Sequence, residues 1–260
     1  MRTQNRPKLG LALSGGAARS IAHIGVLKAF EDAGVRIDAI AGTSGGAMIG
    51  ALYLDGMGIP ELLEITKTLG WGSILKPSLS AAGLIDSRVI HDFMKKYLKA
   101  SRIEELTRPF AAVCTDLGTG DKVVLTKGPL AAAVQASCSL PIFFTPTEFN
   151  GMTLIDGGYS SQIPVLAAKD ELRAETVVAA DVNYKALKAP KKWNMFGISM
   201  HLTLLIARRN ADRELTFADS VIEVCTEGIG LHEIKKHAEL FKRGYRAAAE
   251  KMDEIKRLIA

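Results

Sequence analysis

The sequence predicts an α/β fold, a three-layer α/β/α arrangement around a mainly parallel central sheet. Three observations carry this expectation. Short apolar runs suited to buried strands alternate with longer segments of helical periodicity. Two junctions near the N-terminus, Ser14-Gly15-Gly16-Ala17-Ala18 and Gly42-Thr43-Ser44-Gly45-Gly46, have the small residues of tight strand-to-helix turns. The 260 residues are 48% hydrophobic and 23% charged, enough for one large core and an ordinary surface, so one domain with a core over about 8–250 is expected.

The elements follow in order. A buried strand over 8–13 leads into a helix over 18–33, on which Ile21, Ile24, Leu27 and Phe30 recur at helical spacing. A strand over 37–42 enters the second glycine-rich turn, and small apolar residues continue as a helix over 46–55. Helices are expected over 60–69 and 87–98. Between them Gly70–Leu84 is irregular and contains Trp71, Ile74, Leu75, Leu79 and Leu84, the composition of either a packed loop or an apolar lip over a pocket. Strands over 109–115 and 122–126, a helix over 129–137 and a strand over 152–156 come next. The 122–126 and 152–156 runs are short enough to be local antiparallel additions. A helix over 164–172, a strand over 176–181, a helix over 196–214, a strand over 220–225 and a helix over 233–257 complete the alternation.

Composition narrows the function. Nothing approaches the roughly 18–20 uninterrupted apolar residues of a spanning helix. Met1–Pro7 is polar and runs directly into the first strand, so a cytoplasmic location is expected. Cys114, Cys138 and Cys225 are scattered among apolar neighbours and read as reduced core residues, not as a disulfide frame or metal site. The formal charge of +5 comes without zinc spacing, RNA-binding aromatic motifs or an arginine-rich helix, which argues against nucleic acid.

Chemistry concentrates in three places. Ser44 sits at a sharp turn whose flanking glycines remove clashing side chains, and the helix behind it aims free N–H groups at whatever the serine attacks. The same pattern also describes a capping serine. The Ser14–Arg19 turn leaves backbone N–H groups bare, a nest suited to an oxyanion or phosphate. A dinucleotide site would need glycines where Ala17 and Ser20 stand and an acid ending the next strand, which ends instead in Gly42-Thr43-Ser44. Asp156 closes the apolar run Leu154-Ile155 and precedes Gly157-Gly158, as either a hairpin turn or a carboxylate fixed at a strand end.

Taken together, these segments resemble the patatin-like phospholipase family. The stretches that carry the resemblance are Gly15-Gly16-Ala17-Ala18-Arg19-Ser20-Ile21-Ala22-His23-Ile24-Gly25-Val26-Leu27, Gly42-Thr43-Ser44-Gly45-Gly46 and Asp156-Gly157-Gly158, in that order. Thr115–Gly120, Ala136–Pro141 and Phe241–Ala248 resemble its intervening segments. The resemblance implies a cofactor-free serine acylhydrolase acting on lipid or acyl-ester substrates. Ser44 would be the nucleophile and Asp156 its base without a histidine. Gly15, Gly16, Ala17 and Gly45 would line the oxyanion hole. The chain departs from the family at Ala17 and Ser20, where glycine is usual, and at Ser161-Gln162, where Asn-Pro is frequent.

Arg19 would support the oxyanion loop or bind a lipid phosphate, with a structural ion pair as the alternative, and His23 would make a buried structural hydrogen bond. A Ser44, Asp156, His232 or His237 triad has the chain order of an α/β-hydrolase, but only one strand precedes the elbow strand here. A lipid-binding protein that kept the fold is the non-enzyme alternative. Lys185, Lys188, Lys191 and Lys192 lead into Trp193, Met195 and Phe196, which describes either a solvated loop or a peripheral contact with anionic membrane. Because serine and aspartate supply nucleophile and base, ester hydrolysis is expected to survive a strong chelator. Loss of turnover that added calcium restores would reveal a metal role.

Overall fold

The computed structural model describes residues 7–68, 82–189 and 193–260. Its eight-stranded sheet has the order β5-β6-β3-β2-β1-β7-β8, with β4 (Lys122–Leu125) also paired to β3. The parallel part comprises β3 (Phe110–Asp116), β2 (Ala39–Thr43), β1 (Leu9–Leu13), β7 (Thr176–Tyr184) and β8 (Ser220–Cys225). β4, β5 (Thr147–Phe149) and β6 (Met152–Asp156) pair antiparallel. The 122–126 and 152–156 runs are therefore the local antiparallel additions expected.

The central strands are asymmetric across their two faces. On one face Leu9, Leu11, Leu13, Ile40, Phe110 and Val178 join the larger core with helices α1 (Ala22–Asp32), α2 (Gly45–Leu54), α5 (Leu130–Ser137) and α7 (His237–Leu258). α3 (Ile59–Thr68) and α4 (Arg88–Tyr97) add to this layer through Leu62 and Met94. On the other face Ala12, Ala39, Ala41, Ala111 and Ala179 form a shallow surface. Alternating strand side chains produce this division. The alanine face admits the 163–172 segment and Ala211 of α6 (Met195–Leu215) at close range, which completes the third layer. Among the described residues no helix is long and apolar enough to cross a membrane.

The registers explain how distant segments meet. β2 pairs with β3 through Thr43 opposite Val113, where β2 ends. β6 arrives from the other direction and ends at Asp156 opposite Cys114. β4 occupies the far side of β3 at Ala112–Thr115, so β2 and β6 lie end to end along one edge. A strand residue points its N–H and C=O to one side, which leaves no other arrangement.

Several boundaries differ from expectation. β5 was unanticipated, because three residues between Pro146 and Asn150-Gly151 give too short a pattern. The first helical segment divides into a 3₁₀ turn, Ala17–Ile21, and α1. The 164–172 segment is centred on a π-helical turn, Ala167–Glu171. β7 runs three residues beyond the expected 181. Of the Gly70–Leu84 segment, residues 70–81 lie outside the described residues; Leu84 is exposed and donates its N–H to the Ile142 carbonyl.

Helices α1 and α7 cross through two glycines. A β-carbon on Gly25 would strike the Phe241 carbonyl, and one on Gly244 would strike the Ala22 carbonyl. Neither obstacle is a flexible side chain, so Gly244→Ala should separate the helices and destabilise the fold by about 2–3 kcal/mol. Thermal melting checks this; an unchanged midpoint would show that the crossing yields without cost.

Candidate active site

Ser44 is at φ 53°, ψ −126°, a conformation rarely adopted by a residue with a side chain. The surrounding structure imposes it. Gly42 and Gly46 lie so close to Ala47 and to the Leu13 and Ser14 carbonyls that neither position admits a β-carbon. The Ser44 N–H donates to Ser137 Oγ at 2.9 Å, and that hydroxyl donates to the Val113 carbonyl at 2.6 Å. The elbow is thereby tied to β3 while the half-buried Ser44 side chain projects from it. Strain held by such over-determination is characteristic of functional positions.

Asp156 is 5% exposed. Its carboxylate accepts the Gly158 N–H at 2.8 Å, and the Ser44 hydroxyl lies close enough to favour its charged form. Its backbone is fixed as well: Asp156 N–H donates to the Ser139 carbonyl, and Thr115 Oγ1 donates to the Asp156 carbonyl. Burial raises the carboxyl pKa to about 6, partly opposed by the Ser44 hydroxyl and the Gly158 N–H. Gly157 sits against the Val113 carbonyl and the Thr43 side chain, where a β-carbon has no room. The structure thus brings Ser44 and Asp156 together, and no histidine is among the groups setting the carboxyl's protonation.

The Ser14–Arg19 turn forms the opposite wall. Its peptide orientation can be read from the Gly15 carbonyl, which accepts from Asn183 Nδ2 at 2.7 Å and from Gln162 Nε2 at 3.0 Å. In a trans peptide the next N–H points the opposite way, so the Gly16 N–H faces away from both clamps. No described group accepts the N–H of Gly16 or Ala17. Gly45 N–H is likewise a free donor at the start of α2. Gly15 differs from the expectation of a free donor: its own N–H donates to the Gln162 carbonyl at 3.1 Å.

Arg19 is buried; its Nε donates to the Ile229 carbonyl at 2.9 Å and its Nη1 to Asn183 Oδ1 at 3.2 Å. Arginine only donates, so Asn183 must turn its oxygen to Arg19 and its nitrogen to Gly15. These contacts hold Arg19 against the loop, and the residue, 6% exposed, has little surface left for a phosphate. His23 Nε2 bonds the Ser14 carbonyl at 2.8 Å, and burial lowers its pKa to about 4, a neutral structural ring as expected.

Two of the family departures each carry a cost. Ala17 has φ 46°, so its methyl occupies a strained backbone position, at a cost on the order of 1 kcal/mol relative to glycine. Ser20 is buried against Gly45 with no hydrogen-bond partner for its Oγ among the described residues. Gln162 grips both ends of Gly15. Sequence reasoning missed the bracing contacts of Ser137, Gln162 and Asn183 around the elbow and the Gly15 loop. The available signal for Asn183 was its place after the apolar run Val177–Val182, at the carboxyl end of a parallel strand, where α/β sites gather.

Comparison with known proteins agrees with this geometry. The patatin-like phospholipase family profile matches residues 11–169. An uncharacterized NTE family protein of Mycobacterium tuberculosis is 37% identical over 186 residues, covering 70% of this chain and 51% of that protein. Murine patatin-like phospholipase domain-containing protein 6 is 33% identical over 184 residues, covering 67% of this chain and 13% of that protein. The chain therefore spans about half the length of the mycobacterial relative, and far less of the murine one. VipD from Legionella pneumophila shares the fold, with a TM-score of 0.54 at 15% identity over 96% of this chain and 67% of its own.

Asp156 also makes the stability of the protein depend on pH. Its folded pKa is raised from 3.8 to about 6, so its favourable contribution is present at pH below 3.8 and lost as pH rises through about 6. Asp156→Asn should therefore melt above the parent at pH 8, by up to about 3 kcal/mol, with the gap closing toward pH 4. A gap independent of pH would show that the carboxyl is not held out of water. The strained serine elbow, the buried aspartate and the profile match place this chain in the patatin-like phospholipase family.

Proposed function

We propose that the chain is a cytoplasmic serine acylhydrolase that meets lipid peripherally and cleaves fatty-acyl esters of phospholipids or lysophospholipids. A single domain over about 8–250 would carry the activity. The observation that supports this best is the buried Asp156 carboxyl, its protonation influenced by the hydroxyl of Ser44 on a strained elbow.

In this reading Ser44 Oγ attacks the ester carbonyl carbon as its proton passes to the Asp156 carboxylate. A base with pKa about 6 suits this step better than an ordinary aspartate, being ionised near neutrality yet able to hold the proton. The tetrahedral oxyanion is received by the N–H groups of Gly16, Ala17 and Gly45, each such donor worth on the order of 3 kcal/mol. Collapse breaks the bond to the alcohol, which leaves with the proton from Asp156, and the acyl group remains on Ser44. Water then attacks the acyl-enzyme, Asp156 takes its proton, and the fatty acid departs as Ser44 is restored. Asn183, Gln162 and Arg19 act one step back, by holding the Gly15–Gly16 peptide in the orientation the oxyanion needs.

The left-handed conformation of Ala17 favours a second reading, a lipid binder with little turnover, because that residue supplies one of the donors. Fluorophosphonate labelling of Ser44 separates the two. A catalyst reacts rapidly and loses the label site in Ser44→Ala; an unlabelled parent would favour the binder.

Ser44→Ala and Asp156→Asn should each reduce hydrolysis of a short acyl ester at least a hundredfold while leaving the fold intact. More than a few per cent of activity remaining in clean Ser44→Ala would contradict the serine mechanism. The kcat/KM profile should fall as pH drops through about 6, because the ionised base is lost. Replacing His232 and His237 together should leave that acid limb in place; its disappearance would move the base to histidine.

A further inference from the structure

Helix α6 has apolar residues on both faces, and one face has nothing described covering it. Met200, Leu204 and Ala211 lie toward the molecule, whereas Met195, Ile198, Leu202, Leu205 and Ile206 recur at helical spacing along the outward side. Met195 is 85% exposed and Leu202 52%. Trp193, immediately before the helix, is 63% exposed. An exposed apolar stripe of this length marks an interaction surface.

Charge identifies the partner. From Val182 to Ala211 there is no aspartate or glutamate, whereas Lys185, Lys188, Lys191, Lys192, Arg208 and Arg209 all fall within it. Of these, Lys188 pairs with Glu227 and Arg208 with Asp181 and Asp212, while Lys191 and Lys192 lie outside the described residues. An outward apolar stripe with a tryptophan at its head, set in a segment with cations and no acid, matches the interfacial zone of an anionic bilayer.

The inner side of the same helix holds both halves of the site. Asn210 Nδ2 donates to the Tyr159 carbonyl at 2.6 Å, and Thr203 Oγ1 bonds Tyr159 Oη at 2.9 Å, just beyond Asp156. Arg208 Nη1 donates to Asp181 Oδ2 at 2.7 Å; Asp181 Oδ1 accepts the Asn183 N–H at 2.8 Å; and Asn183 clamps the Gly15 carbonyl. Phe196 packs edge-to-face on Phe143, in the loop between α5 and β5.

We propose that the outward face of α6 is a docking surface for anionic lipid bilayers, and that its fixed attachment to the Asp156 and Gly15 loops seats the Ser44 cleft at the interface. The docking half stands on the helix face alone; the seating half rests on the acylhydrolase reading. Apolar groups of the stripe enter the acyl boundary, and the exposed Lys185 and Arg209 engage lipid phosphates. Because α6 is bonded to both loops, the orientation of the helix on the bilayer is also that of the cleft.

The test uses the full chain with Trp71→Phe, so that Trp193 is the only tryptophan, and Ser44→Ala, so that no lipid is consumed. Phosphatidylglycerol–phosphatidylcholine vesicles should shift Trp193 emission to the blue, and brominated acyl chains should quench it. Met195→Gln/Ile198→Gln/Leu202→Gln, three exposed changes away from the catalytic groups, should weaken vesicle binding at least tenfold. With Ser44 present, the triple variant should slow hydrolysis of vesicle-borne phospholipid at least tenfold, yet keep turnover of a soluble butyrate ester within twofold of the parent. Unchanged Trp193 emission, or equal vesicle binding by the triple variant, would overturn the docking surface. So would conversion of a dimer to a monomer by the triple variant with vesicle binding unaltered, which would assign the stripe to a second copy of the chain. Embedding of Trp193 in vesicles by a parent that hydrolyses neither substrate would sustain the docking surface and refute the acylhydrolase reading.

Discussion

The site depends on a handover along one edge of β3. β2 accompanies β3 as far as Val113 and stops; β6 pairs from Cys114 onward and runs the other way. The two strand ends therefore face each other, and the residues just inside and beyond them are Asp156 and Ser44. Everything nearby serves that junction. Ser137 ties the Ser44 amide to Val113, Gly157 allows the Asp156 turn to pass beside the Val113 carbonyl, and Thr43 Oγ1 reaches across to the Ser161 carbonyl at 2.8 Å. Residues more than a hundred positions apart thus become neighbours through backbone pairing, which is more rigid than any side-chain contact.

The electrostatic consequences follow from the same burial. Removing a carboxyl from water disfavours its charged form, and the Ser44 hydroxyl and the Gly158 N–H recover only part of that cost. A carboxyl poised near pH 6 beside a serine hydroxyl is what the proposed histidine-free base requires. The wall proposed to receive the oxyanion obeys a different constraint. Its donors are backbone N–H groups, whose direction is set by where the preceding carbonyl is held. Asn183 and Gln162 fix that carbonyl, and Arg19 fixes Asn183.

The sequence made much of this legible, because the relevant signals are local. Alternating apolar runs marked all strands but β5, and glycine-rich turns marked Ser44, the Gly15–Ala17 loop and Asp156. What was not legible depends on non-local pairing. Gly15 resembled a donor, but its N–H is taken by the Gln162 carbonyl, a contact across 147 positions. Asn183 lay past the expected end of β7, since a polar residue after an apolar run looks like the start of a loop. Ser137 ended an apolar helix and carried no pattern of its own. Ala17 could be judged only once its φ was known.

The most direct test is the titration of the Asp156 carboxyl itself. Carbon-detected magnetic resonance on protein labelled at aspartate carboxyl groups, assigned with Asp156→Asn, reads its protonation without reference to any substrate. The account predicts a midpoint near pH 6 in the parent. It also predicts a higher midpoint in Ser44→Ala, where the hydrogen bond that favours the charged form is gone. A midpoint near 3.8 that ignores the loss of Ser44 would mean the carboxyl is neither desolvated nor bonded to the serine, and the direct serine–aspartate pair would be wrong.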